Sequence, residues 1–373
     1  MVLTAWSLLA AIWWAIAWWL LLASRRPTPE IPSSLVPAFS IFKAIPAGLD
    51  EDGHSQMAGA IESFVGQLGK GSELLLAIPT EHAALWRPVL DRWAIEYPGA
   101  KIKSLIQPAP VQRANPKIAW MEVMAPSASC DHWLWSDADI VAPPPALDFL
   151  RAELRKGCVA ATCAYRVRTF SKGAAALDAL FINAEFLPGV LLLGARGFSA
   201  SAFGAAVAFP RHLFRERVPW EEIGNCLADD FVIGQRLAPV RLSPVIVNTL
   251  SLQTHFVAAM RHYYRWQKTL RWCRPLSYAA LLAITPLAGW LVSAVLLPAR
   301  QEFLAGFFAQ WLFEVGVAVI LLRAAGCRWP FGASWMLALW PIIRCLSWIA
   351  SWLPISVVWV GARDRWFALR ARP

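Results

Sequence analysis

Residues Val2–Ala23 contain no Asp, Glu, Lys or Arg, and about 22 helical residues at 1.5 Å each reach roughly 33 Å, enough to cross a bilayer core. A run of that kind commits the start of the chain to a membrane. A cleaved signal peptide fits less well, because the apolar stretch is too long, no positive residue precedes it, and Arg25 and Arg26 follow it. Positive charge after the span places the next segment in the cytoplasm. The rest of the chain agrees with a membrane setting: 57% of the 373 residues are hydrophobic, too apolar for an ordinary soluble enzyme.

The formal net charge of +10 suits nucleic acid, an anionic membrane surface or a phosphorylated substrate. Location decides against nucleic acid. Arg25, Arg26, Arg274, Arg300, Arg323, Arg328, Arg363 and Arg365 sit beside apolar runs, where positive charge meets lipid headgroups. The seven cysteines are scattered without a Cys-x-x-Cys pair or a zinc-like spacing to histidine. They read as reduced, partly buried hydrophobes, in keeping with a cytoplasmic catalytic domain.

From residue 27 to 275 the texture changes to short β-rich runs alternating with helical or loop segments, which predicts an α/β fold with a mostly parallel sheet. Strands are expected near 38–44, 73–78, 102–107, 132–136, 158–164, 205–209 and 240–247, and helices over 50–68 and 82–97. Membrane segments return at 276–299 and 303–322, the second interrupted only by Glu314. Over 331–362, Pro341, Arg344 and Pro354 interrupt the run, and the basic tail after it favours a re-entrant or interfacial hairpin that keeps the C-terminus cytoplasmic. The expected organisation is an N-terminal anchor (1–26), a cytoplasmic catalytic domain (27–260), an interfacial Arg/Trp helix (261–275), and C-terminal membrane segments with a basic tail (276–373).

Three segments carry groups that could do chemistry. The first is Trp133-Leu134-Trp135-Ser136-Asp137-Ala138-Asp139, an apolar strand delivering two carboxylates at its C-terminal end, where open α/β sheets bind ligands. Such a pair can present oxygens to Mg2+ or Mn2+ bridging a diphosphate, and an Asp-rich turn is an equally good reading. The second is Asp229-Asp230 at the start of an apolar helical stretch, where the helix dipole favours carboxylates and where Asp230 could act as a base. The third, residues 261–274 with His262, Arg265 and Trp266, has the composition of a helix lying at headgroup depth. The same helix could offer Arg265 to phosphate oxygens.

In this order the segments resemble the membrane glycosyltransferases of the ceramide glucosyltransferase group and the related hopanoid-associated enzymes. The matching residues are Asn115-Pro116-Lys117, Asp137-Ala138-Asp139, Asp229-Asp230 and His262-Tyr263-Tyr264-Arg265-Trp266, followed by a tail from Trp340 to Gly361. The resemblance implies a GT-A (Rossmann-like) α/β domain with one N-terminal and several C-terminal membrane helices, acting on the cytoplasmic face of a bacterial inner membrane. It further implies inverting transfer of a hexose or N-acetylhexosamine from a UDP-sugar to the hydroxyl of a ceramide-like or hopanoid-like lipid. Asp137 and Asp139 would hold a divalent cation and the donor diphosphate. Asp230, with Asp229 beside it, would be the catalytic base. Lys117, Lys43 and Glu81 would lie near the donor, with Glu81 standing where the family carries a base-binding aspartate. His262, Arg265 and Trp266 would meet acceptor or phosphate, His262 replacing the usual Gln or Arg. Transfer to a polyprenyl phosphate, or a silent membrane protein that kept the fold, are the alternatives.

Overall fold

In the computed structural model, the described residues are 1–24, 37–155, 158–170, 173–195, 197, 199–297, 300–354, 358–359 and 362–363. The chain divides into two compact units. One comprises Pro27–Arg166 and Leu193–Leu250, the other Met1–Arg26, Val167–Leu192 and Ser251–Pro373. The second unit takes in residues 167–192, a stretch that the organisation expected from sequence places within 27–260.

The first unit is built on an eight-stranded sheet in the order β3-β2-β1-β4-β7-β6-β8-β5. Its strands are β1 (Phe39–Ala44), β2 (Glu73–Pro79), β3 (Lys101–Gln107), β4 (His132–Trp135), β5 (Ile140–Val141), β6 (Ala160–Arg166), β7 (Val207–Pro210) and β8 (Val240–Thr249). All seven expected strands are present within a few residues; β5 is additional. The sheet is mixed, with four of its seven pairings parallel. β1 pairs in parallel with β2 and β4, β2 with β3, and β6 with β8, whereas β7 runs antiparallel to both β4 and β6, and β5 antiparallel to β8. An apolar run specifies a buried strand but not its direction, so this difference could not be read from residue pattern alone.

The central strands are buried on both faces, β2 along its whole length. In β4 the alternation of a strand sends Trp133 and Trp135 to one face. There their rings pack with Phe42, Phe209 and Phe214, and Trp135 stacks on Trp220 at 5.5 Å. Each such side chain contributes on the order of 1.5–3 kcal/mol by leaving water. This aromatic block anchors β4, which leads directly into Ser136 and Asp137.

The second unit is helical. Val2–Ala23, Gly173–Gly194, Gln301–Ala324 and Phe331–Trp352 are each long and apolar enough to cross a membrane, and Pro275–Ile284 with Leu287–Leu296 form a further pair bent by 64°. Leu8, Leu9, Ile12 and Trp19 on the first helix, and Leu304, Phe308 and Leu312 on another, are exposed as lipid-facing residues would be. Three expectations change here. The 276–299 segment is broken at Thr285-Pro286, where proline ends the preceding turn. The 331–352 stretch is one continuous helix that tolerates Pro341 inside it, so the expected hairpin has no turn within these residues. Gly173–Gly194 was not anticipated, because Asp178, Asn183, Glu185 and Pro188 interrupt its apolar pattern. Arg25, Arg26, Arg365 and the residues after it lie outside the described residues. Among the described residues no disulfide joins the cysteines.

Candidate active site

The Asn-Pro-Lys motif is a helix start. Asn115 caps the helix Pro116–Met124, its side-chain oxygen accepting the N–H groups of Lys117 (3.1 Å) and Ile118 (3.3 Å). Pro116 occupies the first helical position, where its missing N–H costs nothing. The Asn115 amide then donates to the Cys226 carbonyl at 3.0 Å and to Asp229 Oδ1 at 3.3 Å, tying this helix to the start of the helix Asp229–Arg236. Lys117, held in the first turn, places its Nζ 2.7 Å from Asp137 Oδ1 and 3.1 Å from Asp229 Oδ2. One ammonium thus joins the two acidic motifs, which lie about ninety residues apart in sequence.

Gly204 completes the link. Its N–H donates to Asp230 Oδ2 at 2.8 Å, and its carbonyl accepts the N–H of Asp137 at 3.1 Å. A Cβ at this position would lie 3.0 Å from Asp137 Oδ2 and 3.2 Å from Lys117 Nζ, so the carboxylate and the ammonium close over the glycine because it has no side chain. Asp230 Oδ1 accepts the Phe231 N–H at 2.8 Å. Neither aspartate of the pair is the helix cap, a position held by Ala228; both lie in the first turn.

On the neighbouring strand β1, Lys43 is fully buried and donates to Ser136 Oγ (2.8 Å) and to the Asp137 carbonyl (2.7 Å), with the Phe64 ring 3.6 Å away. Asp139 immediately precedes β5, its carboxylate accepting a hydrogen bond from Thr249 Oγ1 at 3.2 Å. Lys43, Asp137 and Asp139 are therefore all carried on the loops and strand ends that β1 and β4 present, as in other open α/β sheets.

The charges respond to burial and to one another. Burial, reinforced by Asp229, lifts Asp230 to about 6, while Lys117 and the Gly204 N–H hold it from going higher. Burial, with the charge of Asp137, raises Asp139 to about 7, opposed by Lys43 and Thr249. Burial lowers Lys43 to about 7, against the pull of Asp139 and Asp137. For Lys117 burial acts downward, but Asp137 and Asp229 outweigh it and the ammonium stays protonated. The centre thus combines a fixed cation with a carboxylate that titrates near neutrality.

Asp137 and Asp139 offer only hard oxygen donors. Among the described residues no group of three or more His, Cys, Asp or Glu is arranged to hold a metal. A pair of carboxylates is nevertheless what Mg2+ takes from a protein when substrate phosphates and water supply its remaining ligands, so the donor set fits that mode of binding and not a closed protein cage.

The other expected residues lie elsewhere. Glu81 is exposed in the turn Thr80–His82 after β2, and no bond joins it to the lysines or aspartates above among the described residues. His262, Arg265 and Trp266 belong to the helix Phe256–Cys273 of the helical unit. There His262 Nδ1 lies 3.2 Å from both Asp178 Oδ1 and Gln253 Nε2, and Trp266 packs on His262 (4.2 Å) and Phe181 (4.9 Å). Asn115, Ser136, Gly204 and Thr249 were not singled out from sequence as site residues. Only Asn115 carried a usable signal, a capping residue followed by proline.

An α/β sheet that gathers acidic pairs and lysines at its strand ends suits a group-transfer enzyme with a phosphorylated donor. A profile of glycosyl transferase family 21 matches residues 2–371, and the chain belongs to that family. Membership bears out the resemblance to the ceramide glucosyltransferase group and makes the chain a glycosyltransferase. Among solved structures, a mannosyltransferase from Pyrobaculum calidifontis in complex with GDP-Man and Mn2+ is similar at 14% identity over 94% of this chain and 97% of its own, with a TM-score of 0.46. GalNAc-T7, solved with UDP, GalNAc and Mn2+, is similar at 11% identity over 68% of this chain and 55% of its own, with a TM-score of 0.41. No curated protein matches the sequence.

Proposed function

We propose that this glycosyltransferase moves a hexose or N-acetylhexosamine from a UDP-sugar to the hydroxyl of a membrane lipid, ceramide-like or hopanoid-like, with inversion at the sugar carbon, at the cytoplasmic face of a membrane. The observation that carries the reading is the junction of Asp137, Asp229 and Asp230 through Lys117 and the Gly204 backbone. Helices long and apolar enough to cross a membrane, in the same chain, support a lipid acceptor and a membrane location.

The chemistry follows from these groups. Asp230 accepts the proton of the acceptor hydroxyl as that oxygen bonds to the anomeric carbon, and the bond from the carbon to the UDP oxygen breaks on the opposite face. A carboxylate titrating near 6 is ionised at neutral pH and still basic enough to take a proton. The Gly204 N–H holds Asp230, and the charge of Lys117 offsets that of the carboxylate before substrate arrives. Asp137 and Asp139 would hold a divalent cation, which when bound supplies positive charge to the departing diphosphate. Lys117 is assigned to offer further positive charge to the donor, Lys43 to hold the Ser136–Asp137 turn beside it, and Arg265 with Trp266 to phosphate or acceptor.

Exchanging Asp230 for Asn keeps the shape and removes the base. The expected result with the natural acceptor is a drop in kcat of about 100- to 10,000-fold, with donor binding kept. Full turnover in D230N would mean that no base is required, as when the acceptor is an already ionised polyprenyl phosphate, and would remove Asp230 from its role.

A further inference from the structure

The acidic centre carries a positive charge of its own. Lys117 Nζ lies 2.7 Å from Asp137 Oδ1 and 3.1 Å from Asp229 Oδ2, so one of the two carboxylates suited to a divalent cation is already engaged by an ammonium. The other oxygen of Asp137 leans on the backbone of Gly204, where a Cβ would come within 3.0 Å of it. The Asp137 side chain is still 40% exposed, against 10% for Asp229. Of the two partners of Lys117, Asp137 is therefore the one that an incoming ion or phosphate meets first.

An ammonium and a divalent cation cannot share that carboxylate without strong repulsion, which partial burial sharpens. Mg2+ or Mn2+ arriving alone has to displace Lys117 and leave its charge close by. A diphosphate reverses the balance, because its oxygens supply ligands to the cation and give the ammonium a new acceptor. The surroundings of Lys117 suit such an exchange. Its backbone is fixed in the first turn of the Pro116–Met124 helix by the Asn115 cap, while its four-carbon stem is flexible. Asp229 is held from its other side by the Asn115 amide, 3.3 Å from Oδ1. One partner of the ammonium thus stays in place when Asp137 is released.

We propose that Lys117 is an internal counter-ion that occupies the cation's place on Asp137 until the donor arrives, so that the divalent cation and the nucleoside diphosphate each bind weakly alone and tightly together. The inference rests on the reading of Asp137 and Asp139 as the carboxylates that hold the cation. It adds the residue that keeps the cation off them in the donor-free enzyme, with Asp229 as the positioning residue that retains the ammonium.

The test measures Mn2+ binding by the full chain in phospholipid nanodiscs, from the electron paramagnetic resonance of free Mn2+, with and without UDP and with no acceptor or turnover. In the unaltered chain UDP should tighten Mn2+ about 10- to 100-fold, and Mn2+ should tighten UDP by the same factor. K117M should bind Mn2+ alone about tenfold or more tightly than the unaltered chain, and UDP should then add correspondingly less. K117R keeps the charge and should bind Mn2+ alone as weakly as the unaltered chain. K117Q, uncharged but still polar, takes the place of K117M if thermal unfolding shows that variant to be misfolded. Mn2+ binding that is no tighter in the uncharged variants, or equally tight in K117R, would overturn the proposal, as would the absence of coupling in the unaltered chain. The double variant D137N/D139N should lose the UDP-dependent Mn2+ binding. If it does while the uncharged variants behave like the unaltered chain, the cation reading stands and the role of Lys117 fails. If GDP and not UDP produces the coupling, Lys117 keeps its role and the UDP-sugar reading fails.

Discussion

Lys117 is the cation on which the site turns, and replacing it with Met gives a quantitative test. Its Nζ lies 2.7 Å from Asp137 and 3.1 Å from Asp229, and its charge is among the influences that keep Asp230 from rising above about 6. Only ionised Asp230 can accept a proton, so kcat/KM falls about tenfold per pH unit below its titration. The unaltered enzyme should therefore show an acid limb near pH 6. A cation within a few ångströms commonly lowers a carboxylate by about 1–3 units. Its removal should move the acid limb of K117M up to about 7 or beyond, a change of at least about 1.4 kcal/mol in proton affinity. K117R keeps the charge and should leave the limb near 6. The assay is kcat/KM for the donor from pH 5 to 9 at fixed ionic strength and saturating divalent cation. An acid limb that stays put in K117M, or one that moves equally in K117R, would refute the coupling between Lys117 and Asp230.

Other substitutions probe the surrounding structure. G204A introduces a Cβ 3.0 Å from the Asp137 carboxylate and 3.2 Å from Lys117. Both are ends of movable side chains, so thermal stability should change by less than about 1 kcal/mol, whereas kcat/KM should fall roughly 10- to 100-fold as the two groups are displaced. Glu73, buried at the start of β2, is pushed up by burial but held at about 2 by Lys103, the Ser129 N–H and the Ser40 hydroxyl. Because its titration in the folded state lies below the ordinary carboxylate value, its stabilisation is present above about pH 4.5 and is lost as the pH falls towards 2. In E73Q the melting temperature should be lower at pH 7, and the acid sensitivity of unfolding should be reduced. In the helical unit, E314A leaves the Arg344 guanidinium buried without its partner and should cost about 3–5 kcal/mol in detergent-solubilised stability, while the double variant E314L/R344M should recover most of it.

How much of this was legible in the sequence depended on the kind of signal. β2, with its apolar run from Leu74 to Ile78, and β4, with Trp133 and Trp135 alternating, were readable because burial leaves a pattern in the chain. Strand direction was not, since β7 and β6 are equally apolar whichever way they run. Asp137, Asp229, Asp230 and Lys117 were readable as motif members, and their meeting is a product of tertiary structure. Gly204 left no trace: a lone glycine before a strand looks the same whether or not two charged side chains close over it. The Gly173–Gly194 helix was missed for the reason that makes it interesting, because Asp178 and Glu185 break the apolar pattern and find partners, His262 and Gln267, on the Phe256–Cys273 helix.

The most direct measurement incubates membranes bearing the protein with a panel of labelled nucleotide-sugars and then extracts the lipids. The account predicts label from a UDP-sugar in a neutral lipid, joined to a hydroxyl with the configuration at the sugar carbon inverted, and no label in membranes carrying D230N. Label confined to a phosphorylated lipid, retention of configuration, or undiminished labelling by D230N would contradict it.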